Sequence, residues 1–190
     1  MAGREDEFIQ VYDEEVWHVY GFFGYRLRSR ELAEDLTQAT FERALRAWNR
    51  FDPSRASVRT WLLSIARNLL IDHFRRRESD HLEPLLEGEA ADAQVGGEED
   101  EPRLGLDPDL EAALGLLGAR ERELIALRYG GDLTGPEIAE ITGLSLANVQ
   151  QLLSRSLRRM RTELEGQSRP SSRAHSAATR DAPTQASDSG

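Results

Sequence analysis

A long acidic segment without aromatic residues divides this chain and limits the size of what can fold on either side of it. Residues 78–111 hold 13 acidic residues against one arginine, together with three prolines. This composition buries too little apolar surface to offset chain entropy, so residues 78–108 are predicted to form a flexible acidic linker. Residues 166–190 lack periodicity and predict a disordered tail. Two short blocks remain, an N-terminal block at 5–77 and a C-terminal block at 109–165.

Apolar residues in both blocks recur at spacings of three and four, which is the period of amphipathic helices and not of strands. In the N-terminal block three such stripes begin near Phe8, Leu36 and Val58, and the third continues to about Arg77. Ser57 is placed to cap the third helix. The expected fold is therefore all-α, with two small helical domains joined by the acidic linker.

The C-terminal block carries clear helix start and stop signals. One helix is predicted over Ala119–Tyr129, and two glycines follow it. Thr134 and Glu137 form a capping box, Gly143 ends that helix, and Ser145 is placed to cap the last one. The stripe expected to be buried on the last helix consists of Leu146, Val149, Leu153, Leu157, Met160 and Leu164.

Two capped helices around a glycine turn predict a helix-turn-helix, whose second helix enters the major groove of DNA. Asn and Gln pair bidentately with adenine, and Arg pairs with guanine. We expect Asn148, Gln151 and Arg155 to read bases. Ser145, at the helix start, is also expected to contact the DNA. Those expected to contact phosphates are Arg158, Arg159 and Arg161. An ordinary solvated face on a structural helical hairpin is the alternative interpretation.

A polar face runs along the third helix of the N-terminal block, opposite its apolar arc, and contains Thr60, Ser64, Arg67, Asn68 and Arg75. Cations and amides beside an aromatic residue suit single-stranded DNA, because phosphates need charge and unstacked bases need a platform. Trp61 lies at the edge of this face, and a core or boundary position is favoured over a stacking platform for this residue alone. The three arginines at 75–77 are alternatively a solvated helix end.

Two strings in the N-terminal block resemble a known family. Residues 33–48 read AEDLTQATFERALRAW, and residues 61–76 read WLLSIARNLLIDHFRR. Both are similar to motifs of the extracytoplasmic-function sigma factors within the sigma-70 family, and they are followed in the right order by the helix-turn-helix. The resemblance implies a transcription initiation factor. Its N-terminal domain would bind core RNA polymerase and melted −10 DNA, and its C-terminal domain would bind the −35 element.

The resemblance also implies roles for individual residues. The third helix and the loop 52–57 would bind the non-template strand of the −10 element, with Trp61, Ser64, Arg67, Asn68, Arg75 and Arg76. The second helix would dock on the clamp coiled coil of the largest polymerase subunit, with Asp35, Leu36, Gln38 and Phe41. The polymerase flap and an anti-sigma protein are further implied partners. A salt-bridged surface, with Glu42 and Arg46 paired, is the alternative reading of the second helix.

The sequence departs from the family pattern at two places. Ala39 stands where the family often has Glu, and the recognition helix reads NVQQL over residues 148–152, with two cations fewer and Leu152 expected to be exposed. Both departures concern the predicted contacts with polymerase and the −35 element.

Other functional classes find little support in the sequence. A stand-alone repressor or activator would leave the polar face of the N-terminal block without a role. We expect no enzyme activity, cofactor or metal site, since no glycine-rich phosphate loop or metal-ligand spacing is present and the chain has no cysteine. The polar N-terminus and the interrupted apolar stretches predict a soluble cytoplasmic protein without membrane insertion.

Overall fold

A computed structural model describes the backbone of residues 2–80 and 106–167 and the side chains of residues 6–77 and 106–166. The N-terminal block consists of α1 (Ala2–Gly24), α2 (Arg30–Ala47), a 3₁₀ turn (Trp48–Arg50) and α3 (Val58–Asp80). The C-terminal block consists of α4 (Pro108–Gly115), α5 (Ala119–Ile125), a π-helical turn (Ala126–Gly130), α6 (Gly135–Thr142) and α7 (Leu146–Gln167). The described ranges hold helices and no strand, which confirms the all-α prediction. The linker and tail predictions fall mostly on 81–105 and 168–190, outside the described residues.

The predicted helix starts and stops are confirmed by hydrogen bonds. The Ser57 hydroxyl accepts from the amide of residue 60 at 3.1 Å, and the Ser145 hydroxyl accepts from the amide of residue 148 at 3.2 Å. Thr134 and Glu137 form the capping box at the start of α6. Gly143 ends α6 with φ 70°, a left-handed conformation that glycine adopts without the steric cost of a β-carbon. Local sequence therefore sets both ends of the helix-turn-helix.

The core of the N-terminal block forms where α1 and α3 both pack on α2. Phe8 of α1 makes edge contacts with Phe41 at 6.4 Å and with Trp48 at 5.3 Å between ring centroids. Phe22 of α1 and Leu62 of α3 are fully buried. Burying aromatic and leucine side chains of this size contributes about 1.5–3 kcal/mol each, so this cluster stabilises the block substantially.

The predicted buried stripe of α7 is confirmed for Val149, Leu153, Met160 and Leu164, and is wrong at two positions. Leu146 and Leu157 are each 40% exposed, whereas Val149, Met160 and Ser156 are buried. Ser156 fits inside because its hydroxyl donates to the carbonyl of residue 152 at 2.8 Å, which removes the cost of an unpaired polar group. Leu152, expected to be exposed, is partly buried against the core. The prediction was therefore wrong for Leu146, Leu152 and Leu157.

Two short elements of the C-terminal block were not foreseen. Helix α4 starts at Pro108, and the Asp107 carboxylate caps it by accepting from the amide of residue 109 at 2.9 Å. Its Leu114, together with Leu117, Ile125 and Met160, forms a small second core between α4, α5 and α7. The π-helical turn adds one residue per turn after α5 and so changes the direction in which the following residues face.

The two blocks are in direct contact. Helix α1 packs along the π-helical turn, and one continuous hydrophobic core runs from the N-terminal block through Leu124, Leu127 and Ile138. At the centre, a β-carbon added to Gly130 would lie 2.5 Å from the carbonyl oxygen of Gly21. We call this contact surface between α1, α3 and the C-terminal block the inter-block interface. Sequence reasoning did not foresee this interface.

Candidate nucleic-acid and polymerase interfaces

The exposed end of α3 presents three of the predicted DNA-binding residues to solvent. Asn68, Arg75 and Arg76 are all exposed, as the sequence predicted. An Nη atom of Arg75 donates to the Asp72 carboxylate at 3.1 Å. This pair lies on the helix surface and is weak, so Asp72 competes little with another anion for Arg75. This half of the polar face is therefore accessible to a phosphate backbone.

The start of α3 and the preceding loop form an aromatic corner. Phe51 stacks on Trp48 with ring centroids 5.2 Å apart, and both rings contact Trp61, which is half-buried. Trp61 is thus a boundary residue, in keeping with the core or boundary position that the sequence favoured. Ser64 donates to the backbone carbonyl of residue 61 at 2.6 Å and is partly buried.

A cavity of about 420 Å³ opens beside this corner. Asp52 shapes its loop wall, since its carboxylate accepts from the Ser54 hydroxyl at 2.7 Å and from the Ser54 amide at 3.0 Å. These bonds hold the pKa of Asp52 below its usual value. The wall opposite belongs to α6. The cavity is lined by Arg50, Phe51, Asp52, Arg55, Ala56, Thr60, Trp61, Ser64, Glu140 and Ile141.

Arg67 is not on an accessible surface, contrary to expectation. Its Nε donates to the Glu123 carboxylate of α5 at 2.8 Å, and its side chain is only 19% exposed. Thr60, from the same polar face, is buried, and its hydroxyl donates to Glu137 of α6 at 2.9 Å. The prediction of one accessible polar face along α3 is therefore wrong for its first half in this conformation, because the C-terminal block covers it.

Arg59 is an interface residue that sequence reasoning missed. Its Nε donates to Glu15 of α1 at 2.8 Å, and an Nη donates to Asp132 of the C-terminal block at 3.0 Å. The hydrogen bond to Glu15 raises the pKa of Arg59, so the guanidinium remains charged. Its position outside the apolar arc of α3 indicated a polar environment, but its partners could not be identified because they lie 44 and 73 residues away in the sequence.

The predicted polymerase-binding residues of α2 divide into two groups. Asp35 and Gln38 are exposed, while Leu36 and Phe41 are buried in the core and support the helix from beneath. Gln38 donates to Glu42 at 3.0 Å, and Glu42 pairs with Arg46 at 3.3 Å, so the anticipated salt-bridged surface also exists. The predicted polymerase contact and the local pairs therefore fall on the same face of α2.

An apolar groove of about 590 Å³ lies between α1 and α2, next to those exposed residues. Trp17 stands at its side with 73% of its surface exposed, and Leu45 is also largely exposed. Exposed large apolar side chains around a groove are typical of a protein-binding surface. The groove is lined by Tyr12, Val16, Trp17, Tyr20, Arg30, Glu34, Thr37, Gln38, Phe41, Glu42 and Leu45.

The outer face of α7 carries most of the predicted duplex-binding residues. The exposed side chains on this face are Ser145, Asn148, Gln151, Arg155, Arg158 and Arg161. Arg159 differs, because it donates to the Glu121 carboxylate at 2.8 Å and to the backbone carbonyl of residue 116. Arg159 thus ties α7 to the α4–α5 turn, a role that sequence reasoning did not foresee.

None of the helices within the described ranges is long and apolar enough to cross a bilayer.

Comparison with known proteins agrees with this arrangement. The family model "Sigma-70 region 2" matches residues 11–79, and "Sigma-70, region 4" matches residues 108–160. The ECF RNA polymerase sigma factor RpoE of Cereibacter sphaeroides is 32% identical over 72% of this chain and 72% of its own length. The chain therefore belongs to the extracytoplasmic-function sigma factors, a class of proteins that direct RNA polymerase to promoters.

Two further sigma factors are similar to this chain. The ECF RNA polymerase sigma factor BldN of Streptomyces coelicolor is 33% identical over 83% of this chain, and the match spans 60% of the length of BldN. The sigma factor RpoE of Bartonella quintana, solved as a co-crystal with the anti-sigma factor NepR, has a TM-score of 0.64 at 24% identity. It covers 84% of this chain and 97% of its own, so the two share a fold.

Proposed function

We propose that this chain binds core RNA polymerase through α1 and α2, holds the opened −10 strand on α3, and reads the −35 duplex with α7. One observation carries the proposal: a single chain presents two separate cation-and-amide surfaces, at the end of α3 and on the outer face of α7. One surface suits melted DNA and the other suits a major groove. Two weak contacts on one chain reinforce each other because the second is intramolecular.

The polymerase contact is assigned to the groove between α1 and α2 and to Asp35 and Gln38 beside it. Buried Leu36 and Phe41 act by positioning the helix. A helix of a partner, such as the clamp coiled coil, suits a groove with exposed Trp17 at its rim. The flap of the polymerase and an anti-sigma protein are proposed as further partners. The anti-sigma assignment is supported by the complex in which the RpoE of Bartonella quintana was solved.

The cellular role follows from these partners. We infer that the chain acts by binding and has no catalytic activity of its own, in keeping with a family of transcription regulators. It would act in the cytoplasm, where RNA polymerase is found. A stress or envelope response is the proposed setting, which rests on the family alone.

Run-off transcription with core polymerase over genomic fragments tests the whole proposal. Specific transcripts should depend on the added chain, and the chain should copurify with core. Asp35→Ala/Gln38→Ala should weaken copurification, whereas Arg43→Ala, exposed further around α2, should not. A chain that neither copurifies with core nor starts specific transcripts is not a sigma factor.

The two DNA-binding surfaces can be distinguished by the effects of substitutions on a promoter found by run-off transcription. Arg75→Ala/Arg76→Ala should reduce promoter opening, measured by permanganate reactivity of unpaired thymines. Gln151→Ala should change promoter choice, since each bidentate base contact contributes about 1–3 kcal/mol of discrimination. Equal loss on every promoter for Gln151→Ala would contradict a base-reading role for that residue.

A further inference from the structure

We propose that Arg159 is a positioning residue that fixes the direction of α7, and that base reading at the −35 element depends on Arg159 although it does not contact DNA. The sequence predicted a phosphate contact for Arg159, but its guanidinium binds two other helices of the C-terminal block. We call the contacts of Arg159 with Glu121 and Leu116 the α7 clasp. This inference rests on the proposed base-reading role of α7 and adds the contact that orients it.

The α7 clasp joins three helices through one guanidinium. One Nη atom of Arg159 donates to the Glu121 carboxylate at 2.8 Å, and the other donates to the backbone carbonyl of Leu116. Leu116 is the C-cap of α4, so its carbonyl lies at the negative end of that helix, where a cation is favourable. Glu121 lies in the first turn of α5. Arg159 therefore ties α7 to the end of α4 and to the start of α5.

The acidic partner of Arg159 is itself held in place. The Glu121 oxygen that accepts from Arg159 also accepts from the amide of Gly118 at 3.1 Å, and this second bond closes the capping box of α5. A charge-assisted bond between a fixed carboxylate and a planar guanidinium is directional. The clasp therefore restrains the orientation of α7 as well as its distance from α5.

A phosphate contact by Arg159 would require the clasp to break. The guanidinium would turn away from Glu121, whose side chain is only 13% exposed, and would leave that carboxylate without its cation. Removing one partner of a largely buried ion pair is strongly unfavourable, because the remaining charge is poorly solvated. Arg161, in contrast, is exposed, and no ion pair within the described residues holds it. Arg161 is thus free to meet a phosphate, whereas Arg159 is not.

The apolar contact beneath the clasp does not set the direction of α7 by itself. Met160, next to Arg159, is buried in the small second core with Leu114, Leu117 and Ile125. Hydrophobic contact is non-directional, and a methionine side chain adapts to its surroundings, so this core tolerates tilting of α7. The hydrogen bonds of the clasp therefore determine the direction of the second half of α7.

Two points of attachment decide how α7 lies in a groove. Its start is held by buried Val149 and by the turn after α6, and its second half is held by the clasp. Arg155 lies between these points, one turn before Arg159. A tilt of about 10° around Val149 would move the backbone of Arg155, about 9 Å further along the helix, by roughly 1.6 Å. A shift of this size breaks a bidentate hydrogen bond to a base.

Arg159→Lys separates positioning from phosphate contact at constant charge. A lysine still binds a phosphate oxygen, but its ammonium is a point charge and lacks the planar fork that holds two acceptors at once. Arg161→Lys is the matched control on the same helix. Holoenzyme formed from core polymerase and each variant is titrated on a promoter found by run-off transcription, and on copies with single base pairs changed in the −35 element.

The readout is the preference for the original −35 element over the changed copies. Arg159→Lys should lower this preference about fivefold, the low end of what a bidentate base contact contributes. Arg161→Lys should leave the preference unchanged, and both variants should copurify with core as the natural chain does. An unaltered preference in Arg159→Lys overturns the proposal.

Glu121→Gln tests the other side of the clasp. Glutamine keeps the shape of the side chain and still completes the capping box of α5. The preference should fall about threefold, less than in Arg159→Lys, because Arg159 keeps its bond to the carbonyl of Leu116. Glu165→Gln, which removes an exposed acidic charge of α7, is the control and should change nothing.

The two roles of Arg159 predict different results for Glu121→Gln. If Glu121 only held Arg159 back from a phosphate, its removal would tighten binding to all promoter copies alike and leave the preference unchanged. Uniform tightening of this kind, beyond that of Glu165→Gln, overturns the positioning role.

The direction of α7 is also measurable in the full chain. The chain has no cysteine, so spin labels at Ala112→Cys on α4 and Ser154→Cys on α7, both exposed positions, report the distance between these helices without background. The distance distribution should broaden in Arg159→Lys and Glu121→Gln and stay narrow in the two controls. A loss of preference without broadening contradicts an effect through the direction of α7.

Failure of the underlying function gives a different result. If Gln151→Ala changes promoter choice but neither clasp variant does, α7 reads bases and only the positioning role of Arg159 is wrong. If Gln151→Ala and both clasp variants leave the preference unchanged, the base-reading role of α7 itself is wrong.

Discussion

Glu137 joins two functions in one carboxylate. One oxygen accepts from the amide and hydroxyl of Thr134, at 2.8 and 2.6 Å, and completes the cap of α6. The other accepts from Thr60 at 2.9 Å and from Ser57 at 3.3 Å, across the inter-block interface. Burial raises the pKa of Glu137, but the hydrogen bonds from Thr134, Thr60 and Ser57 outweigh it and hold the pKa below its usual value.

The lowered pKa of Glu137 predicts an acid-dependent loss of stability. A depressed carboxyl pKa stabilises the folded state above the unfolded value, and that contribution disappears as the pH falls through the folded pKa. Glu137→Gln should cost about 1 kcal/mol near pH 7. Urea unfolding of both proteins between pH 7 and pH 3 should show the difference shrinking on acidification. A difference that stays constant over this range would show that the ionised carboxylate is not responsible.

The sequence could place single residues on a helix face but could not identify what covers them. Arg67 was predicted on the polar face of α3, and it does lie there. Its partner Glu123 is 56 residues away, beyond the acidic segment, and no local pattern connects the two. Helical spacing determines the direction in which a side chain leaves the helix axis, whereas long-range pairing depends on how whole blocks pack.

At the scale of elements, the turn between α6 and α7 depends on one backbone conformation. Gly143 has φ 70°, and a β-carbon added there would meet no atom within 4 Å, so sterics within the residue, not crowding, favour glycine. An L-residue in this conformation costs roughly 1–2 kcal/mol, and Asn tolerates it better than Ala. The orientation of α7 relative to α6 follows from this turn.

Substitution of Gly143 should separate backbone strain from packing. Gly143→Ala should destabilise the chain by about 1 kcal/mol, and Gly143→Asn by less, because the Asn side chain tolerates the left-handed region. Chemical denaturation followed by circular dichroism measures both. The idea fails if Ala and Asn cost the same, since a conformational origin requires Asn to be better tolerated.

Elements were predicted well where local chemistry decides and poorly where packing decides. The caps at Ser57, Thr134 and Ser145 are local and were found. On α7 the inside of the helix includes Ser156 and leaves Leu157 exposed, and hydrophobic spacing does not predict that a serine is buried in place of a leucine. Helix α4 was missed because it is short and follows directly on the acidic segment, where composition indicates no core.

At the scale of the whole molecule, the two blocks behave as one packed body in this conformation. Their hydrophobic core is continuous from Phe22 of α1 to Val149 of α7. All three tryptophans of the chain, Trp17, Trp48 and Trp61, belong to the N-terminal block. Tryptophan fluorescence therefore reports mainly the unfolding of that block, while circular dichroism reports the helices of both.

Shared packing predicts a single unfolding transition. Fluorescence and circular dichroism should give the same denaturation midpoint for the natural chain, because the blocks unfold together. Gly21→Ala should separate the two curves by weakening the shared core, whereas Gly115→Ala should leave them coincident. Distinct midpoints in the natural chain would mean that each block folds independently of the other.

The crossing of Gly21 and Gly130 brings main-chain atoms of the two blocks together with no side chain between them. Main-chain atoms have no rotamers, so no side chain at this crossing can rearrange to fill a gap when the blocks move apart. Packed interfaces of this kind are bistable and do not deform continuously. Separation of the two blocks by a partner is therefore expected to behave as a two-state switch and not as a graded response.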